Sequence, residues 1–137
     1  MFRFLFNPGN HSQAVSIGLL LLRFAAGLSM LTHGYPKLLK LLAGPPYKFS
    51  DPIGMGITLS LVLVVFAEVI CSLLVILGLG TRLATIPLII TTLVIVFVSK
   101  AGKAFNEFEL PFLYLAIFTA LAFTGAGRFS LDKKFGK

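Results

Sequence analysis

The feature that most restricts this chain is a set of four apolar runs, each close to the length that crosses a bilayer. They cover residues 14–33 (AVSIGLLLLRFAAGLSMLTH), 57–77 (ITLSLVLVVFAEVICSLLVIL), about 83–99 (LATIPLIITTLVIVFVS) and about 109–124 (ELPFLYLAIFTALAFT). A helix needs roughly 20 residues to span ~30 Å of hydrocarbon, and the last two runs are short, which little tilt or local thinning accommodates. In lipid an unpaired backbone group finds no water, so such runs fold as helices. The expected fold class is all-α: an integral membrane four-helix bundle, with residues 1–137 as one domain. Composition agrees, since 57% of the residues are hydrophobic and 12% charged, where a soluble domain carries about 25% charged residues.

The connections follow from the breakers. Gly78-Leu79-Gly80-Thr81-Arg82 is a tight turn, so spans two and three form an antiparallel hairpin. Pro87 and Pro111 are expected in the first turns of spans three and four, where a missing N–H costs least. The connection over 34–56 begins GYPKLLKLL, which places leucines beside Lys37 and Lys40 and suits a short amphipathic helix at the interface. It continues as a loop broken by Pro45-Pro46 and Asp51-Pro52. Phe2, Phe4, Phe6 and Arg3 suggest that the N-terminal segment also rests on the membrane surface. Ala25-Ala26-Gly27 imitates a signal cleavage site, but Arg23 would then sit inside the signal's apolar core, so the first span reads as a retained anchor.

The net charge of +7 does not indicate nucleic acid, because the cations sit between or beyond the apolar runs, where they meet anionic lipid headgroups. Four spans put both termini on one side. Arg3, Arg82, Arg128, Lys133, Lys134 and Lys137 share it, against Lys37, Lys40, Lys48, Lys100 and Lys103 opposite. Six positives against five favour cytoplasmic termini.

Two charges interrupt the apolar runs. Arg23 lies ten residues before His33, roughly 15 Å along a helix, and Glu68 lies eleven after Ile57, roughly 16 Å. That count puts the two at one depth on antiparallel neighbours, where pairing would remove much of the cost of an intramembrane charge, about 2.5–3.5 kcal/mol for arginine. Such a pair either fixes which helix faces meet or lines a polar pocket for a ligand or proton. His33 and Lys37 stand above this layer and join Arg23 and Glu68 as pocket candidates. Glu109 opens span four and could pair with Lys37 or Lys103, while Arg82 and Asp132 mark the far side as a mutual contact. His11 reads as surface. Cys71 is a lone thiol in an apolar run and reads as a small buried hydrophobe.

Several chemistries have no carrier here. The two histidines are far apart, no HxxxH or ExxH occurs, and no metal site is expected. There is no haem ligand pair on facing spans, no glycine-rich phosphate loop and no G-x-S-x-G elbow.

The motifs then converge. Leu22-Arg23, the exit Thr32-His33-Gly34-Tyr35-Pro36-Lys37-Leu38, Glu68, the turn Leu79-Gly80-Thr81-Arg82 and the segment Gly125-Ala126-Gly127-Arg128-Phe129-Ser130-Leu131-Asp132 run in order along nearly the whole chain. In these the sequence resembles the DoxX family of small bacterial four-helix membrane proteins. The resemblance implies a multi-pass protein of the bacterial inner membrane, in contact with lipid and with either a protein partner or further copies of itself. The family takes its name from a subunit of an archaeal thiosulfate:quinone oxidoreductase, while some relatives look like chaperones or cargo receptors. A redox-linked member without a covalently bound cofactor would pass electrons through a quinone or quinol or a partner protein, with Arg23, His33, Lys37 and Glu68 as the polar lining. Three readings stand side by side: a quinone-contacting redox-associated subunit, a non-catalytic assembly or interaction protein, and a small-molecule or proton carrier. Whether the chain is an enzyme stays open among them.

Overall fold

Residues 5–47, 51 and 53–136 are described by the computed structural model; the expectations for Phe2, Arg3, Phe4, Lys48, Pro52 and Lys137 fall outside the described residues. Four helices are long and apolar enough to cross a membrane: α1 (Gln13–Ala43), α2 (Ile57–Leu77), α3 (Thr81–Ser99) and α4 (Phe105–Thr124). A short α5 (Leu131–Gly136) follows. No membrane strand competes with them, because the described chain is helical or irregular throughout.

Helix α1 starts where Ser12 caps it, its Oγ accepting from the Val15 amide at 3.2 Å. Its buried residues Ser16, Leu19, Arg23, Ala26, Gly27, Met30 and Gly34 recur every three or four positions and form one stripe. The helix does not stop at His33. It runs through Pro36 to Ala43, and the interfacial helix expected from GYPKLLKLL is its last three turns. Proline removes a single donor from a helix, whereas a loop at this depth would leave several backbone groups unpaired.

Helix α2 has the bounds read from its apolar run, with a π-helical turn over Phe66–Cys71. Helix α3 ends in a second π-helical turn, Ile95–Ser99. Helices α3 and α4 begin earlier than their apolar runs and measure 19 and 20 residues, so neither is short for a bilayer. Pro87 and Pro111 are consequently each the seventh residue of a helix rather than part of its first turn.

Two glycines of α1 set its approach to α2. A Cβ on Gly27 would lie 2.4 Å from Ile76 Cγ1, and one on Gly34 would lie 2.8 Å from Glu68 Cβ. Small residues let transmembrane helices pack backbone to backbone, and these contacts fix the register of the hairpin. The core is drawn from all four spans, including Met30, Cys71, Val75, Leu88, Tyr114 and Phe118. Helix α4 packs along α3 and meets α1 over a shorter stretch. The outward faces carry Leu21, Leu28, Phe97 and Phe123, each more than half exposed. Such faces belong against lipid tails.

Both ends of the bundle close on one side. His11 Nε2 lies 2.7 Å from the Thr124 carbonyl oxygen, and the Gly127 amide donates to Pro8 O at 2.8 Å. His11 is therefore half-buried and bonded, not a free surface side chain.

Candidate functional site

The polar groups of the bundle form two separate layers. The first, near the termini, is built on Arg23, which is 1% exposed. Its Nε donates to Val75 O at 2.9 Å and its Nη2 to Ile76 O at 2.8 Å. Its Nη1 donates to Ala126 O at 3.1 Å and to Phe129 O at 2.8 Å. Val75 and Ile76 lie in the last turn of α2, whose carbonyls carry the negative end of the helix dipole; Val75 O also accepts the Gly78 amide at 3.1 Å. The guanidinium thus caps one helix and ties down the strand of chain after α4.

Arg23 and Glu68 do not meet. The equal-depth expectation took the membrane exit of α1 at His33, but the helix continues to Ala43, which adds ~15 Å and slides Arg23 along to the far end of α2. Gly78 makes room for it, since a Cβ there would lie 2.6 Å from Arg23 Nη2 on a backbone with φ +72°. Asp132 completes this layer. Its carboxylate accepts the Gly80 amide at 2.7 Å and the Thr81 amide at 3.1 Å, so a residue of α5 caps the start of α3. Arg82, 8% exposed, follows directly. The Asp132 carboxylate is bonded to the backbone of the turn.

The second layer sits toward the opposite face. Glu68, in the π-helical turn of α2, places both carboxylate oxygens 2.8 Å from Lys37 Nζ. The glutamate side chain is 2% exposed and the lysine 25%. Gly34 allows this contact, because its missing side chain lets α1 ride against the Glu68 backbone. Breaking a buried pair by removing one partner typically costs about 3–5 kcal/mol.

Beside the pair lies a cavity of about 110 Å³ lined by Met30, His33, Lys37, Glu68, Ile95 and Tyr114, among others. The His33 ring meets Tyr114 edge-on, with centroids 5.9 Å apart. Its rim residues His33 and Leu110 are exposed on the bundle surface. Of the pocket candidates, His33, Lys37 and Glu68 come together and Arg23 stands apart by four turns of α1. Lys37 is Glu68's partner, and Glu109 is an exposed residue of α4 outside this cavity. Tyr114 was missed. Its signal was present as the first of Tyr114, Phe118 and Leu121, the buried i, i+4, i+7 face of α4.

A lysine, a glutamate, a histidine and a tyrosine around one small space can orient a carbonyl or hydroxyl group and exchange protons with it. At Arg23 the four hydrogen bonds of the guanidinium go instead to backbone carbonyls.

The comparisons bear on the same elements. A family model described as DoxX matches residues 18–101, which hold most of α1, all of α2 and α3, and both members of the Lys37–Glu68 pair. No curated protein and no solved structure matches the chain. Because the family model covers more than half of the sequence, this membrane protein of four apolar helices belongs to the DoxX family.

Proposed function

We propose that this protein is a redox-associated subunit of the bacterial inner membrane that holds the head of a quinone or quinol against the Lys37–Glu68 layer. The observation that carries the reading is the cavity of about 110 Å³ beside an ion pair within a bundle of membrane helices, with His33 and Tyr114 on its wall. Buried pairs add little to stability over apolar packing, and intramembrane ionisable groups are most often kept for binding or proton transfer. The donor set fits a quinone head: Lys37, His33 and Tyr114 offer hydrogen bonds to a ring carbonyl, and Glu68 holds Lys37 in position. A bound quinone supplies the two-electron chemistry. The chain's own part is to orient the head and to hold protons at Lys37, Glu68 and His33, while electrons come from a partner protein in the same membrane. The termini lie in the cytoplasm in this arrangement, as the distribution of lysine and arginine favours.

The test is quinone content. Wild-type protein purified in native-lipid discs should carry quinone detectable by extraction and mass spectrometry, and Glu68→Gln and His33→Ala should each lower it at least tenfold. Wild type and both variants carrying the same trace amount would sink the reading. A second reading, a non-catalytic assembly protein, draws on the Arg23 layer, whose charged hydrogen bonds all end on backbone and are purely architectural.

A further inference from the structure

A second cavity, of about 270 Å³, runs between α2 and α3. Its inner end is Lys37 and Ile95, which also line the smaller cavity, so the two spaces share the Lys37 side chain. Its outer end is Ser99 and Lys100 on one rim and Ile53 and Met55 on the other, at the face of the bundle that carries the 44–56 connection. The rim loop is pinned by Asp51, whose carboxylate accepts the Met55 and Gly56 amides at 2.9 Å and the Ser60 hydroxyl at 3.0 Å.

Lys37 explains why such a passage exists. An ammonium has three hydrogens, and the bonds it makes go to the two oxygens of one carboxylate on one side. A quarter of its side-chain surface is uncovered, and a cation at membrane depth faces either protein or a water-filled space. The groove offers that space, with Ser60, Thr91 and Ser99 spaced along otherwise apolar walls. At ~30 Å³ per water its volume admits several molecules, enough for an intermittent file and far short of a pore. Toward the termini the interior is packed mainly with apolar side chains. Met30, Cys71, Val75, Leu88 and Phe118 pack as core between the Lys37–Glu68 layer and Arg23.

We propose that the α2/α3 groove is the aqueous access route to the Lys37–Glu68 pair, so that this polar layer exchanges water and protons with the loop face of the membrane and not with the face that carries the termini. The route stands whether or not a quinone occupies the neighbouring cavity, so its test is separate from that of the proposed function.

Single cysteines on a Cys71→Ala background read the groove directly in proteoliposomes of full-length protein. Thr91→Cys and Val94→Cys lie along it, while Leu93→Cys, on the same helix and 38% exposed, is outside its lining and points to lipid. Each is treated with the impermeant anionic reagent 2-sulfonatoethyl methanethiosulfonate, which reacts with thiolates and therefore only where water reaches. Thr91→Cys and Val94→Cys should react at least tenfold faster than Leu93→Cys, and only with reagent on the loop side. Val64→Cys, on the α2 wall of the same groove, replaces either variant that fails to elute as a folded species. Rates equal to that of Leu93→Cys would mean that acyl chains fill the groove, and reaction from the termini side would mean that the layer opens the other way. Either result overturns the proposal.

Discussion

At the residue scale, the bundle accommodates Arg23 and Glu68, its two most deeply buried charges among the described residues, by different means. Arg23 spends its hydrogens on four carbonyl oxygens, whereas Glu68 meets a cation from the neighbouring helix. The difference is measurable with double-mutant cycles in detergent. Glu68→Leu leaves Lys37 without its counter-charge, at a cost of about 3–5 kcal/mol, while Lys37→Met/Glu68→Leu should recover most of that loss. Arg23→Leu and Glu68→Leu, being four turns apart, should add to within about 0.5 kcal/mol. A large coupling between Arg23 and Glu68, with none between Lys37 and Glu68, would show that the register of α1 on α2 is wrong. Glycine has a sharp role at one place in this scheme: Gly78 combines a left-handed backbone with a guanidinium where its Cβ would be.

At the scale of elements, α2 owes its start to a residue outside it. Its first residues follow Gly56, which offers no side-chain cap, and Asp51 fixes the approach by accepting the Met55 and Gly56 amides just before the helix. The Gly56 amide, then Ser60, Met55 and Gly54, hold the Asp51 carboxyl below its ordinary value of 3.8. A carboxylate with a depressed folded pKa contributes stability above its unfolded value and loses it as pH falls through the folded one. Acidification below pH ~3.8 should therefore fray the start of α2, seen as faster amide exchange at Met55 and Gly56. In Asp51→Asn the same amides should exchange at a rate indifferent to pH over that window, after correction for intrinsic exchange. An unchanged acid response in Asp51→Asn would assign it to another group.

The spans themselves were legible in the sequence because apolar length is a direct consequence of bilayer thickness, and α2 begins and ends where its apolar run does. The end of α1 was not legible. His33-Gly34-Tyr35-Pro36 reads as a stop in water, but in a membrane the cost of unpaired backbone overrides the preferences of glycine and proline. That one boundary displaced the register, and with it the partner of Arg23. Backbone carbonyls carry no side-chain signature, so the true partners, at Val75, Ile76, Ala126 and Phe129, had nothing to mark them. His33, Lys37 and Glu68 were recoverable because ionisable residues beside or within a span are rare enough to stand out one by one.

For the whole molecule, the pairing of both ends on one side leaves a single question of orientation. With cytoplasmic termini, Ile53→Cys on a Cys71→Ala background should react with an impermeant thiol reagent in intact spheroplasts, and Phe135→Cys should not. The opposite pattern would reverse the protein in the membrane.

The Arg23 layer also has a meaning in time. A ribosome makes Arg23 about a hundred residues before Ala126 and Phe129, at ≈ 5–20 residues per second. For those seconds the nascent hairpin holds a guanidinium with only the α2 carbonyls to serve it, so the first half of the protein enters the bilayer as an unfinished object. The segment after α4 arrives after all four spans, and it does two tasks at once, closing on Arg23 and capping α3 through Asp132. Chains ending at Gly125 should insert all four spans yet be cleared by membrane proteases several-fold faster than full-length protein in a pulse–chase, and Arg23→Leu should narrow that gap. The segment after α4 is in effect a receipt for the four spans before it, read by a residue laid down about a hundred residues earlier.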